Sequence, residues 1–250
     1  MRLVITSGHR VGSRWIHYLL AELLSQQVNP EMGEYWLENQ ERRDRVLKAF
    51  NSNKLLKFHA VTPTRLEKMF APRQAKVLFV VRNPRDRVVS FAFHNRYHDR
   101  TVFPQKGLAT DKEAVEYTLY EDTLFRREEE HQFKYMNPEL STRNYKGSDT
   151  DYIWTSYEWL KKDTVGEIEK ILKYSKINLQ SNKIIQAVNN NSFSRKANRP
   201  AGSEQRNDLW RRKGVIGDWR NWFTEKMIED TQSDFDRYFE ILKESDSNEN

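Results

Sequence analysis

A single α/β domain, a central parallel sheet flanked by helices, is predicted by three features of the chain. Short β-branched apolar runs recur along it, segments of helical period separate them, and each run leads into a polar turn. The runs are Leu3 to Thr6, Leu55 to Phe58, Val77 to Val81 and Tyr152 to Ser156. Continuous apolar character over four or five residues is what a strand covered on both faces requires. Helical periodicity predicts helices over Ser13 to Ser25, Glu41 to Phe50, Thr64 to Phe70, Pro84 to Tyr97, Asp111 to Phe133, Glu158 to Tyr174 and Asn182 to Asn189, with a closing helix from Thr224 to about Lys243. Right-handed crossovers then bring the carboxyl ends of the strands to one edge, where ligands of such folds bind.

The 250 residues suffice for one domain, expected over 1–243, with a frayed acidic tail over 244–250. Residues 98–110 and 136–150 read as long loops and residues 193–213 as a basic loop. No run approaches ~18 apolar residues, and the amino terminus lacks the apolar stretch and cleavage site of a secretion signal, so no stable membrane insertion is expected. Zero cysteines exclude disulfides, thiolate metal sites and cysteine nucleophiles and fit a reducing compartment. A cytoplasmic location is the expectation. The net charge of +6 is uneven: residues 225–250 hold nine acidic against three basic side chains, leaving 39 basic against 27 acidic, a surplus of 12, in the first 224. Such a surplus suits a nucleic acid, a membrane surface or a phosphorylated small molecule, and equally a surface of scattered lysines.

Four segments could carry chemistry. The first strand runs through Gly8-His9-Arg10-Val11-Gly12-Ser13-Arg14-Trp15 directly into a helix, a turn that offers backbone N–H groups and a positive helix end to an anion. It is not a Walker A loop, which places four residues between its glycines and follows them with Lys-Ser/Thr. Lys57 and His59 end the second run, and their spacing of two directs both to one face. An imidazole at a strand end can be neutral near pH 7 and accept a hydroxyl proton, or simply cap a loop. Arg82 stands before a helix with Asn83 as N-cap and Pro84 at its first position, and Ser90 returns to a similar face two turns on. That pair could grip a phosphate, or Arg82 could pair with Asp86 on the surface. In Trp210-Arg211-Arg212-Lys213-Gly214-Val215-Ile216-Gly217-Asp218-Trp219, three cations precede two glycines that would let backbone approach a ligand. Aromatic-interleaved basic loops also bind nucleic acid, and a solvated loop anchored by Trp219 is the plainer reading.

These four segments, in this order, resemble the PAPS-dependent sulfotransferases of the cytosolic type, in a bacterial version. His9 to Trp15 is similar to that family's 5′-phosphosulfate loop, Pro-Lys-Ser/Thr-Gly-Thr-Thr-Trp. Lys57-Phe58-His59 is similar to its Lys-Thr-His segment, and Arg82-Asn83-Pro84-Arg85-Asp86 through Ser90 to its 3′-phosphate motif. Arg212-Lys213-Gly214-Val215-Ile216-Gly217-Asp218-Trp219-Arg220-Asn221-Trp222-Phe223-Thr224 resembles its Arg-Lys-Gly-x-x-Gly-Asp-Trp-Lys-Asn-x-Phe-Thr signature. Ser156-Tyr157-Glu158 and Asn191-Ser192-Phe193 are weaker matches.

The resemblance implies a P-loop-NTPase-like fold and transfer of a sulfuryl group from PAPS to a hydroxyl of a small-molecule acceptor, leaving adenosine 3′,5′-bisphosphate (PAP). No metal and no nucleic acid take part in that expectation. It casts His59 as general base, Arg10 and Lys57 as catalytic cations, and Arg10, Val11, Gly12, Ser13, Arg14 and Trp15 as the 5′ cradle. Arg82, Ser90, Arg212, Lys213 and Gly214 would hold the 3′-phosphate, Trp15, Tyr157 and Phe193 would surround the adenine, and Asn191 would also bind the nucleotide. Arg10 replaces the family's lysine; a permanent cation cannot give up its proton, so its help would be electrostatic. Glu225 and Arg220 depart from the family's dimer segment, so that dimer is not implied. Residues 96–150 match nothing in the pattern and are the expected variable acceptor region, where Tyr97, Phe103, Tyr117, Tyr120, Phe125 and Phe133 divide between core and pocket. His94 and His98 have zinc-compatible spacing without a third ligand and read as a solvated face. A P-loop nucleotide kinase and a non-catalytic nucleic-acid-binding module are the competing readings.

Overall fold

The computed structural model describes residues 2–28, 32–33, 37–52, 54–73, 75–98, 108–135, 152–206, 208 and 211–247. Its strands are β1 (Arg2–Ser7), β2 (Gln27–Val28), β3 (Met32–Gly33), β4 (Lys54–His59), β5 (Ala75–Val81) and β6 (Tyr152–Ser156). Its helices are α1 (Ser13–Leu23), α2 (Gln40–Asn51), α3 (Pro63–Phe70), α4 (Pro84–Tyr97), α5 (Asp111–Tyr120), α6 (Thr123–Tyr135), α7 (Tyr157–Lys162), α8 (Thr164–Tyr174), α9 (Ser181–Asn190), α10 (Phe193–Ala197), α11 (Glu225–Asp230) and α12 (Gln232–Ser247).

The strands lie in the order β2-β4-β1-β5-β6, every pairing parallel, and β3 also pairs with β4. β2 pairs with Lys54 and Leu55 and β3 with Phe58 and His59, so the two short strands share one edge of β4. The four longer strands match the predicted runs. β2 and β3 are additions, since two residues are too few for periodicity to register. The chain winds to one side of β1 through β4 and then to the other through β5 and β6. Such a reversal opens a crevice at the strands' carboxyl ends. Register places Ser7 beside His59 on one side and Val80 on the other, so His59 and Arg82 emerge level with the turn that follows β1.

Alternation along the buried strands feeds two cores. Val4, Leu56, Phe58 and Val77 pack with Phe50, Phe70, Trp159 and Tyr238 on one face. Leu3, Ile5, Leu55 and Leu78 pack with Ile16, Leu20, Ile171 and Ile184 on the other. A third cluster joins α4, α5 and the carboxyl-terminal segment through Phe91, Val115, Phe125, Trp219 and Met227.

Three predicted long helices are each two. The segment expected to be helical over 111–133 breaks at Asp122, whose carboxylate accepts from the Phe125 backbone N–H at 3.0 Å. The 158–174 segment breaks at Asp163, extended at φ −145° and ψ 86°, which caps α8 through the Gly166 N–H at 2.9 Å. The closing helix breaks at Thr231, whose hydroxyl bonds back to the Met227 carbonyl at 2.7 Å and accepts from Arg85 Nε at 2.8 Å. Aspartate and threonine compete for backbone groups in this way, which favours helix ends over helix interiors. Residues 193–197, expected as loop, form α10, and α12 runs to Ser247, past the expected end at Lys243.

Candidate active site

The turn after β1 is shaped by two left-handed residues, Arg10 at φ 65° and Gly12 at φ 82°. Gly12 is the N-cap of α1 and no side chain caps that end, so the first N–H groups of the helix face the crevice. A side chain at Gly12 would also clash with the ring of Tyr157, which packs against its Cα. Ser13 is buried at the base of the turn, where its hydroxyl lies 2.8 Å from the donating Ser7 Oγ and 3.3 Å from the donating Lys57 Nζ. Lys57 is 1% exposed; its ammonium is thus held from β4 against the start of α1. Val11 is the exception in the turn: its side chain is fully buried in a sheet core and lies outside the cavity described below.

His59, at the end of β4, is 9% exposed with Nδ1 buried. Its ring is stacked on that of His9 at 4.3 Å between centroids and 12° between planes. Arg10 reaches across to α4, where Nε donates to Ser90 Oγ at 3.3 Å and a terminal nitrogen lies 3.4 Å from His94 Nδ1. Arginine can only donate, so that contact requires a lone pair on Nδ1. His94 therefore lines the site, contrary to the solvated face expected of His94 and His98.

Arg82 ties three segments together. Its guanidinium donates to the Arg10 carbonyl at 3.1 Å and the Val215 carbonyl at 3.2 Å, and lies 4.4 Å from the Tyr157 ring centre. The Arg82–Asp86 surface pair does not form: Asp86 is 1% exposed and accepts from the backbone N–H groups of Gly217 at 2.7 Å and Trp219 at 3.2 Å. One carboxylate at the start of α4 thus anchors the basic, glycine-containing segment beside the β1 turn. Within that segment Asp218 accepts from Arg212, from Lys213 at 2.5 Å and from Asn221 at 3.0 Å. Burial pushes the Asp218 carboxyl up, but the bonds from Arg212 and Lys213 outweigh it and hold the group at about 2. Gly214 sits at φ 68° with the Phe193 ring against its Cα, where any side chain would collide.

These groups surround one cavity of about 670 Å³. Every residue given a catalytic or nucleotide-binding role from the sequence lines it except Val11. Trp210 and Phe103 lie outside the described residues, as do residues 99–107 and 136–150 of the expected acceptor region. The lining adds His9, Tyr18, His94, Lys161, Lys196, Arg211, Val215 and Asp218. Lys161 was legible in spacing, four residues after Tyr157 on one helix face; burial, then the Arg82 charge, pushes its ammonium below the usual lysine range. Asn191 lines the cavity with its NH₂ already given to Glu22 at 2.8 Å and the Ala187 carbonyl at 2.9 Å, so its carbonyl oxygen is what remains for a ligand. Among the described residues, nine lysines and arginines face the cavity against one carboxylate, Asp218. Arg82 Nε and Trp15 Nε1 are buried without a hydrogen-bond partner among the described residues. A cationic cavity with orphaned donors and edge-on aromatic rings, Trp15 and Tyr157 at 6.1 Å and 75°, suits an anionic ligand with a flat ring. Among the described residues no cluster of three metal-ligating side chains occurs, and no helix is long and apolar enough to cross a membrane.

Comparison with known proteins places the chain in a family. Human sulfotransferase 2A1 is 31% identical over 182 residues, covering 69% of this chain and 58% of the human protein. The 3-beta-hydroxysteroid sulfotransferase of Cavia porcellus is 28% identical over 245 residues, covering 92% and 79%. The chain thus spans little more than half the length of the human relative. Among solved structures, mouse sulfotransferase SULT7A1 complexed with PAP superimposes with a TM-score of 0.66 at 21% identity, covering 98% of this chain and 86% of that one. Retinol dehydratase in complex with androsterone and PAP superimposes with a TM-score of 0.60 at 17% identity, covering 98% and 82%. The family model described as the sulfotransferase domain matches residues 2–245, and the chain belongs to that family.

Proposed function

We propose that this protein transfers a sulfuryl group from PAPS to a hydroxyl of a small-molecule acceptor, with His59 as the base. The single observation carrying this reading is that one cavity holds both an imidazole at the end of β4 and a separate cationic grip formed by Arg82, Arg212 and Lys213. PAP in the structural neighbours supports the choice of nucleotide. The orphaned Arg82 Nε is a donor suited to the 3′-phosphate, and the edge-on pair of Trp15 and Tyr157 to the adenine.

PAPS, when bound, supplies the transferable group and a nucleotide leaving group. The chain's own residues do the rest. His59 accepts the acceptor's proton at Nε2, its Nδ1 being buried. Arg10, Lys57 and the amide groups of Gly12 to Arg14 form a preorganised positive field for charge that develops opposite the attacking oxygen. Arg10 contributes charge alone, since it cannot donate its proton. Lys57, fixed through Ser13, does so from a buried position.

Two variants separate the roles. His59→Ala should lower sulfuryl transfer by at least ~100-fold while PAP affinity by titration calorimetry stays within about twofold. Arg82→Ala should weaken PAP binding by roughly tenfold or more, because a buried, charge-assisted contact is lost. Sulfated products from a panel of alcohols, phenols, sugars and lipids, read by mass spectrometry, give the turnover. Equal loss of PAP binding in both variants contradicts the assignment.

A further inference from the structure

The stack of His9 on His59 has no counterpart in the resembled phosphosulfate loop, which has proline where this chain has His9. His9 is held from both sides. Its carbonyl accepts from Arg87 Nε at 3.1 Å, and Arg87, fully buried, is paired with Glu129 and lies 5.1 Å from the Phe125 ring. Its imidazole meets Phe91 edge-on at 6.1 Å and 85°, and Phe91 in turn meets Phe125 at 5.6 Å. The His9 ring is therefore a wall fixed by the core of α4 and α6, and the His59 ring lies flat on it.

A histidine at a strand end rotates freely about its outer side-chain bond unless something restrains the ring plane. Face-to-face contact restrains that plane. Rings 12° from parallel cannot share an in-plane N–H···N bond, so His9 is not a proton partner of His59; it acts through its face. We propose that His9 is a positioning residue: its stacked imidazole fixes the plane of the His59 ring, so that Nε2 meets the acceptor hydroxyl in line with the donor. The inference rests on the sulfotransferase reading given above. It makes an aromatic face, rather than an imidazole, the requirement at position 9.

The test uses full-length protein carrying ¹³C,¹⁵N-labelled histidine, with PAP as ligand and PAPS hydrolysis, in which water takes the sulfuryl group, as the kinetic probe. In His9→Ala the His59 ring resonances should move, since the ring current of the stacked neighbour is lost, and the hydrolysis rate should fall roughly tenfold or more from misorientation alone. PAP affinity should stay within about twofold of wild type in every variant, as His9 belongs to neither phosphate grip. His9→Phe restores an aromatic face and should bring the hydrolysis rate back to within about threefold, whereas His9→Asn, polar but without a ring, should behave like alanine and stands in for it if alanine unfolds. Unmoved His59 resonances in the alanine or asparagine variant, or rescue by asparagine but not phenylalanine, overturns the role of His9. Failure of wild-type protein to bind PAP overturns the functional reading itself, a result distinct from either.

Discussion

Asp218 is the only carboxylate facing the cavity among the described residues, and two of the cations there, Arg212 and Lys213, are bound to it. A carboxylate placed among these cations weakens the field they offer an anion but fixes where they point. Its side chain is 3% exposed, so the pair with Arg212, itself 11% exposed, is poorly screened. The sign of the pH dependence follows from the direction of the shift. The carboxyl lies at about 2 in the fold against an ordinary 3.8, so its contribution is fully present above about pH 4 and is lost as the pH falls towards 2. That shift is on the order of 2 kcal/mol. Urea unfolding of wild type should therefore lose about that much stability between pH 4 and pH 2 beyond what Asp218→Asn loses. Parallel acid limbs in the two proteins would contradict the assignment. Asp218 was visible in the sequence only as part of a motif, because a carboxylate beside three cations does not announce which of them it serves; distance decides that.

At the scale of elements, strand positions and most helix cores were legible because both rest on periodic burial, and the site was legible because its residues sit at strand ends and helix starts. What escaped was non-periodic. The breaks at Asp122, Asp163 and Thr231 depend on side chains turning back on the backbone, and β2 and β3 depend on a neighbour, β4, that one segment cannot reveal. Asp86 is the most consequential of these hidden roles. As the third residue of α4 it has the position of a helix-start acid, yet its two oxygens serve Gly217 and Trp219, 131 and 133 residues away. The carboxylate thereby joins α4 to the segment carrying Arg212, Lys213 and Gly214. Asp86→Ala should leave those N–H groups without acceptors and cost roughly 2–4 kcal/mol in urea unfolding. It should also weaken PAP binding, although Asp86 itself does not line the cavity. Retention of wild-type PAP affinity in a destabilised but folded variant would separate the anchor from the grip.

For the whole molecule, what matters is where along the chain the cavity wall comes from. Its lining runs from His9 to Asp218, drawn from the turn after β1 and the α1 that follows it, the end of β4, Arg82 after β5, α4, α7, the junction of α9 and α10, and the basic segment that Asp86 anchors. A ligand that fills it bridges segments far apart in sequence, adding contacts to those already made through the sheet, the cores and side chains such as Arg82 and Asp86. Binding should therefore stabilise the domain as a unit, in proportion to how many of these segments the ligand touches. At 100 times its dissociation constant a ligand specific for the native state adds ~2.7 kcal/mol, and for a domain of this size each kcal/mol raises Tm by about 2–4 °C. PAP should accordingly raise Tm by roughly 5–10 °C at such a concentration. ATP at the same concentration, lacking a 3′-phosphate for Arg82, Arg212 and Lys213, should raise it less. The surplus of 12 positive charges in the first 224 residues offers a different outcome. A surface that bound long polyanions would respond to duplex DNA with a steep salt dependence, whereas a cavity neutralising a few charges would give a shallow one. Thermal unfolding with PAP, ATP and DNA across a salt series distinguishes these. A DNA effect exceeding that of PAP would place the anion site on the open surface instead of in the cavity, and with it would go the reason for His59 and the phosphate grip to share one chamber.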